Sequence, residues 1–247
     1  MDIKQIVIGF IVLLAVIWVY RYFFTDPTSS TLLDYGDAKD TATISHTKLS
    51  GNAAATDFTY SFWINVDDWN HKLGSKKNII KRQGNNNDSS PEIYLKRYTN
   101  DLVIELAIFD GTGTTGSATS SQIEASTIKN IPLQKWTNIT ITSNNRSLDT
   151  YLDGKLVKTS LLTGPIDVNG SSDITICGSE PGAPVADPGF SGNIAKVRYY
   201  SRTLNPREAY ELYKEGYSGS LFGNLFNKYK LKFSLITDNK ESASLEL

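Results

Sequence analysis

Residues 131–142, IPLQKWTNITIT, continue after a short stretch into residues 151–158, YLDGKLVK, and this region decides the fold. Ile139 and Ile141 alternate with threonines, the period of two that a half-buried strand requires. Asn144-Asn145-Arg146 breaks the run, and a second strand over Ser147–Leu152 leads into Asp153-Gly154. Asp-Gly between two β-prone runs signals a two-residue hairpin, because both turn positions need positive φ. A third strand over 155–159 completes an antiparallel meander. Trp136, at the head of the first strand, is expected to plug the core. The meander reads as scaffold that binds no ligand.

The rest of the 247 residues must fit around this meander, as one sizeable domain with attachments. Net charge is -1, and no basic stripe or recognition motif points to nucleic acid. The single cysteine, Cys177, excludes an internal disulfide and argues for a reducing setting. It lies in the strand-like ITICG of 174–178 and reads as a small core residue. His46 and His71 offer no Ser-His-Asp, Cys-His or zinc-ligand spacing.

Residues 6–20, IVIGFIVLLAVIWVY, are uncharged throughout. The run is short of the roughly 20 residues a spanning helix needs. Lys4 and Arg21 can snorkel, while Ile3, Tyr22, Phe23 and Phe24 extend the apolar length. Residues 1–24 are therefore expected to form a single-pass transmembrane anchor, with Ile6, Phe10, Leu13, Leu14, Ile17 and Trp18 facing lipid. A cleaved signal peptide is disfavoured by the bulky residues at 21–24. Lys4 and Arg21 balance, so membrane orientation is open. Residues 25–31 read as a polar linker spanning at most roughly 25 Å when extended, which holds the domain of 32–216 close to the bilayer.

Within that domain, Phe58, Tyr60, Phe62, Ile64 and Val66 alternate with Thr59, Ser61, Trp63 and Asn65. Trp63 on the second face implies that both faces meet protein. Further strands are expected at 78–81, 93–96, 102–109, 174–177 and 192–200. A polar Gly/Ser/Thr loop fills 110–121, and such long loops are functional or disordered. Asn205, Pro206 and Glu208 spell an N-cap, a first-turn proline and a capping box, and Gly216 supplies the stop. Tyr210 and Tyr213 would form that helix's packing face. Short strands separated by Gly/Pro turns make an all-β sandwich.

Four pieces carry a family resemblance. They are FTYSFWI at 58–64, IPLQKW at 131–136 with YLDGK at 151–155, FSGNIAKVRYY at 190–200, and LNPRE at 204–208. In this order, residues 32–216 resemble a laminin-G-like jelly roll of the concanavalin A-like lectin/glucanase superfamily. The resemblance implies a concanavalin A-like jelly-roll sandwich with one short C-terminal helix, here behind an N-terminal transmembrane helix. An anchor followed directly by such a domain is similar to membrane-anchored proteins of large double-stranded DNA viruses. That similarity implies a minor capsid component of the virion linking the internal membrane to the capsid shell, with other capsid or membrane-associated proteins as partners.

The superfamily's glucanases carry paired carboxylates as E-x-D-x-x-E on one strand, and glycoside hydrolysis needs two carboxyls flanking one bond. Here the comparable strand offers Glu105 alone, facing the same way as Val103, Ala107 and Phe109. No catalytic residue is assigned, and Glu105 is expected to pair with a basic neighbour. Calcium is a possible cofactor through loop oxygens, with Asp110 and Asp187 as weak candidates and turn formation as the plainer reading. A glycan is a possible ligand of loop residues around Asn85, Asp88 and Phe190. Asn87, Asn138, Asn145 and Asn169 fall in N-x-Ser/Thr patterns, but a glycan on Asn138 would obstruct a strand.

Lys72, Lys76, Lys77, Lys81 and Arg82 form a basic run, read as a solvated hairpin or a contact for anionic lipid or an acidic partner. The extension of 217–247 contains NKYKLKF at 227–233. There Lys228, Tyr229, Lys230, Leu231, Lys232 and Phe233 are candidate partner contacts, on a lysine-protected edge strand or a strand added to a neighbour. Residues 239–247 read as a polar, mobile tail. The sequence thus points to a non-enzymatic, membrane-anchored interaction protein, with a lectin-like module as the alternative and a glycoside hydrolase as a distant third.

Overall fold

The computed structural model describes residues 26–51, 54–84, 89–109, 125–179 and 189–218. It also describes the backbone alone of 121–124, 232–237 and 240–246, and the helical positions Val12, Leu14, Ala15 and Trp18. Two six-stranded antiparallel sheets face each other. The first has the order β1(Ser29–Asp37), β12(Ser191–Tyr200), β3(Thr59–Asp68), β8(Thr137–Asn144), β9(Ser147–Leu152), β10(Lys155–Leu161). The second runs β2(Ala42–Ile44), β11(Ile174–Ile176), β4(Lys77–Gln83), β5(Ser89–Leu95), β6(Leu102–Phe109), β7(Ser121–Ile128). The meander is β8–β9–β10, and Asp153 (φ 47) and Gly154 (φ 72) take the left-handed conformations its turn demands. The edge strands β1, β2 and β7 have no clear alternation in the sequence and are found only by their pairing with β12, β11 and β6.

Between the sheets, Tyr60, Phe62, Ile64, Ile139 and Ile141 pack against Ile80, Ile93, Ile104 and Leu106. The opposite face of the first sheet is buried as well. Thr59 pairs with Thr142 and Ser61 with Thr140 in register, and their hydroxyls lie 2.7 and 2.9 Å apart. These threonines, which alternate like a solvent face, are a buried hydroxyl ladder. The chain after β12 covers it. Leu204 N donates to Thr59 Oγ1 and Thr142 Oγ1, and Thr203 Oγ1 donates to Ser143 O.

Helix α1(Pro206–Glu215) then crosses that face. Asn205 Oδ1 accepts from Glu208 N at 3.0 Å, and Glu208 Oε2 accepts from Asn205 N at 2.8 Å, the capping box expected from the sequence. Gly216 (φ 72) ends it. Tyr213 packs on Trp63, but Tyr210 is largely exposed, and Ala209 is the helix's buried residue.

Trp136 is not in the core. Ile139 and Ile141 point inward, so Trp136, of the other parity, shares the outer face with Asn138 and Thr140. Nor is the basic run a solvated hairpin. Lys77 is buried with its Nζ 4.2 Å over the Trp69 ring, and Arg82 lies inside the core with Nε donating to Ser172 O.

The expected linker of 25–31 is already structured at Ser29, where β1 begins. Ahead of it, Arg202 Nη2 holds Asp26 Oδ2 at 2.9 Å. Among the described residues no helix is long and apolar enough to cross a membrane. Of the anchor positions, Leu14 and Trp18 are helical and exposed, while Ile6, Phe10, Leu13 and Ile17 lie outside the described residues.

Gly192 (φ 146) sits at a register shift between β12 and β3, where an added Cβ would stand 1.9 Å from Asn65 O. Gly192→Ala is expected to cost about 2–4 kcal/mol of folding stability, read as a lowered urea midpoint. Burial by itself would raise the Asp26 carboxyl, but hydrogen bonds from the Thr28 hydroxyl and amide and from Arg202 outweigh it and hold it below the usual range. A lowered carboxylate stabilises the fold above its unfolded value of about 3.9, and that contribution is lost as pH falls through the lower folded value. Asp26→Asn should therefore be less stable than the parent at neutral pH and lose less stability on acidification from about pH 4 downward, seen in urea midpoints across pH.

Candidate functional site

The hairpin β5–β6 pairs Leu95 with Leu102, which sets Glu92 directly opposite Glu105 on the outer face of the second sheet. Two carboxylates thus meet across strands, although no single strand carries both. Lys76 joins them, with Nζ 3.9 Å from Glu92 Oε1 and 3.7 Å from Glu105 Oε2. The ammonium also lies 4.1 Å from the centre of the Tyr94 ring, and Tyr94 Oη donates to Glu105 Oε1 at 2.7 Å. Burial, then the Glu105 carboxylate, pushes the Tyr94 phenol upward, so it stays protonated and keeps donating. Glu105 has the basic partner expected of it. Glu92 escaped sequence reading, although a hairpin centred between Tyr98 and Thr99 fixes the pairing by counting.

On the outer face of the first sheet, Trp63 stacks on Tyr213 with ring centres 5.8 Å apart. Trp136 stacks on Tyr217 at 4.4 Å and 8°. These four rings line an open groove of about 520 Å³, with Lys135 and Asp153 at its rim. Asp153 is a strand cap as well as a turn residue. Its Oδ1 accepts from Asn138 N at 2.9 Å, and its Oδ2 lies 3.4 Å from Lys135 Nζ. The signal for this groove is parity alone, since Trp63 and Trp136 both fall on the threonine side of their strands.

A third, polar cleft of about 660 Å³ holds His46 and Asp173. Asp173 Oδ1 accepts from the His46 backbone amide at 2.9 Å and lies 3.0 Å from Nδ1, and these two bonds hold the carboxyl below its usual range. The nearby Ser172 hydroxyl is engaged with the Gln83 and Asn169 carbonyls. Cys177 is fully buried, and burial followed by the Asp37 charge pushes its thiol up to about 12, which leaves it unreactive.

Asp110 and Asp187, the calcium candidates, lie outside the described residues, and no group of metal-ligating side chains occurs among the described ones. Asn138 is buried with Nδ2 donating to Phe62 O, so it takes no glycan. Of the tail candidates, Lys232 and Phe233 fall in β13(Lys232–Thr237), which pairs with β14(Lys240–Glu246) as a separate two-stranded sheet rather than as an edge of the sandwich. Residues 240–246, expected to be a mobile tail, are thus a strand. Lys228, Tyr229, Lys230 and Leu231 lie outside the described residues.

A laminin G-like family model, described as the concanavalin A-like lectin/glucanases superfamily, matches residues 36–209. Comparison with curated proteins gives no match. Among solved structures, the botulinum neurotoxin serotype G binding domain is similar at 13% identity and a TM-score of 0.51, covering 77% of this chain and 51% of that one. The botulinum neurotoxin serotype D binding domain is similar at 12% identity and a TM-score of 0.52, covering 76% and 42%. This chain spans about half or less of those proteins' length, and at such identity the likeness is one of fold. With its meander, its two-sheet order and a family match over most of its length, the chain belongs to the laminin G-like family of the concanavalin A-like lectin/glucanases superfamily.

Proposed function

We propose that this chain is a non-catalytic adaptor, held in a bilayer by residues 1–24, that spans from that membrane to a surface facing it. The observation that carries this reading is the placement of the two attachments. Ser29, Tyr200, Thr59 and Thr142 lie level at one end of the first sheet, so the chain enters there. Helix α1 starts beside Thr59 and Thr142 and delivers Tyr217 onto Trp136, next to Thr137, which pairs with Ile64 toward the other end. The ten residues of β3 separate the ends by ~30 Å. The apolar segment therefore enters at one end of a rigid sheet, and the C-terminal extension leaves about 20 Å further along it.

Lys76 already joins Glu92 and Glu105, which speaks against glycoside hydrolysis by that pair. The architecture's similarity to virion membrane proteins suggests a setting between an internal membrane and a capsid shell, as a minor capsid component. A glycan-binding role is the second reading, favoured by the aromatic groove, since ring faces of this kind suit stacking ligands.

The test uses the full chain in liposomes whose bilayer carries an energy acceptor. Dyes are placed at Asn145→Cys, in the β8–β9 turn near the entry end, and at Asn130→Cys, at the far end. Strong transfer from position 145 and weak transfer from position 130 are expected. Equal transfer would mean the domain lies flat, and release of the protein by alkaline carbonate would remove the anchor. Selective binding on a glycan array, abolished by Trp136→Ala, would favour the second reading. Retention on virus particles after detergent removal of lipid would check the virion setting.

A further inference from the structure

The first sheet ends in an open strand on each side. Among the described strands, β1 pairs with β12 alone and β10 with β9 alone. The six strands alternate in direction, so β1 and β10 run opposite ways. The two edges also differ in charge. β1 carries Asp34 and Asp37, and β10 carries Lys155 and Lys158. Lys158 Nζ turns inward to donate to Thr127 O, but Asp34 and Lys155 are both exposed, and neither forms an ion pair among the described residues. Lys196, near Asp34, is taken by Glu215 at 3.6 Å, and Asp153, just before Lys155, is held by Lys135. Counting across the register puts the two charges side by side in height. Lys155 pairs with Leu152, Leu152 with Ile139 and Ile139 with Phe62, and Phe62 is level with the stretch of β1 between Thr31 and Tyr35. The edges also expose large apolar side chains, Tyr35 on β1 and Leu156, Val157 and Leu161 on β10.

We propose that the first sheet continues from one copy of this chain into the next, with β10 of one copy pairing antiparallel with β1 of its neighbour. The unpaired backbone groups of an edge strand are a template for another strand. Opposite charges at facing positions then select which strand is taken. Lys155 of one copy meets Asp34 of the next, and Leu156 and Val157 are covered. Each edge has one register shift, between Thr31 and Leu33 and between Leu156 and Lys158. Both adjoin the level of Ser61, so in a level pairing the irregular stretches face each other. Like edges are worse partners. Joining β10 to β10 in parallel sets Lys155 against itself, and joining them antiparallel inverts one copy. In the proposed pairing the neighbour is turned by the twist of the sheet but not inverted, so both entry ends face one membrane. The interface is heterologous and leaves a free edge on each outer copy, while twist keeps such rows short on a flat bilayer. One strand pair buries less than the ~1,000 Å² of a stable interface, so the pairing depends on confinement of copies in a shared bilayer. The proposal goes beyond the adaptor reading and rests on it for that confinement.

The full chain is incorporated into phosphatidylcholine liposomes with Thr31→Cys on β1 and Thr159→Cys on β10, both exposed positions. A short bismaleimide then joins facing thiols. Cys177 does not react, being buried with its thiol pushed up to about 12. Dimers and trimers on a denaturing gel are expected from the pair, and monomer from either variant alone. Lys155→Glu should reduce the joined species about fivefold, and adding Asp34→Lys should restore them. Thermal unfolding of these surface variants should match the parent. Absence of joined species from an incorporated chain would overturn the proposal. Dimers from Thr159→Cys alone would show like edges pairing and overturn it. Equal yields from Asn130→Cys with Asn145→Cys, which lie at opposite ends of the domain, would show random collision and overturn it too, as would a charge swap that restores nothing. If the chain does not incorporate, the anchor reading fails instead, and the same variants joined in concentrated solution test the edges.

Discussion

Burial of the first sheet on both faces is the constraint on which the rest of the structure depends. Its inner face is apolar and needs only the second sheet. Its outer face carries threonine, serine and asparagine, and burying these costs free energy unless each finds a partner. The strand register supplies partners by placing Thr59 against Thr142 and Ser61 against Thr140, and the backbone of Leu204 completes the set. The segment after β12 is therefore fixed where it can hydrogen-bond this ladder. That position sets the course of α1, and the course of α1 sets where the C-terminal extension leaves.

The same constraint distributes the chemistry. Trp63 and Trp136 stand on the polar face because of their parity, and the turn after α1 brings Tyr213 and Tyr217 onto them. The second sheet has no such cover among its described neighbours at Glu92 and Glu105, and its charges are balanced locally by Lys76. Its end loops are instead tied to the first sheet's end loop by the Gly74–Arg97 bond. The molecule thus has an entry end organised by Asp26 and Arg202, a rigid middle, and a far end where the loops of the two sheets are tied together.

Much of the fold was legible because strand period, Asp-Gly turns and helix caps are local. The β8–β9–β10 meander, β3, β6 and the capping box of α1 follow from residues within a few positions of each other. The strands β1, β2 and β7 were not legible, since they lack clean alternation and owe their structure to hydrogen bonds from β12, β11 and β6. Trp136 has the size of a core residue, but its parity with Asn138 and Thr140 puts it on the outer face. The basic run from Lys72 to Arg82 looked like one solvated surface, whereas alternation and a register shift send Arg82 inward and leave Lys76 outside.

The sequence by itself determined an all-β sandwich of a recognisable family, the position of its one described capped helix, and an apolar segment ahead of the domain. These rest on short-range patterns that each residue's own geometry enforces. Only the tertiary structure decided that Glu92 faces Glu105, that the threonines are a buried ladder, that the rings of Trp136 and Tyr217 meet, and that Gly74 is bonded to Arg97. Each joins residues on different strands or loops. Such pairs are set by inter-strand register and by which backbone groups still require a partner, and neither is written in any one stretch of sequence.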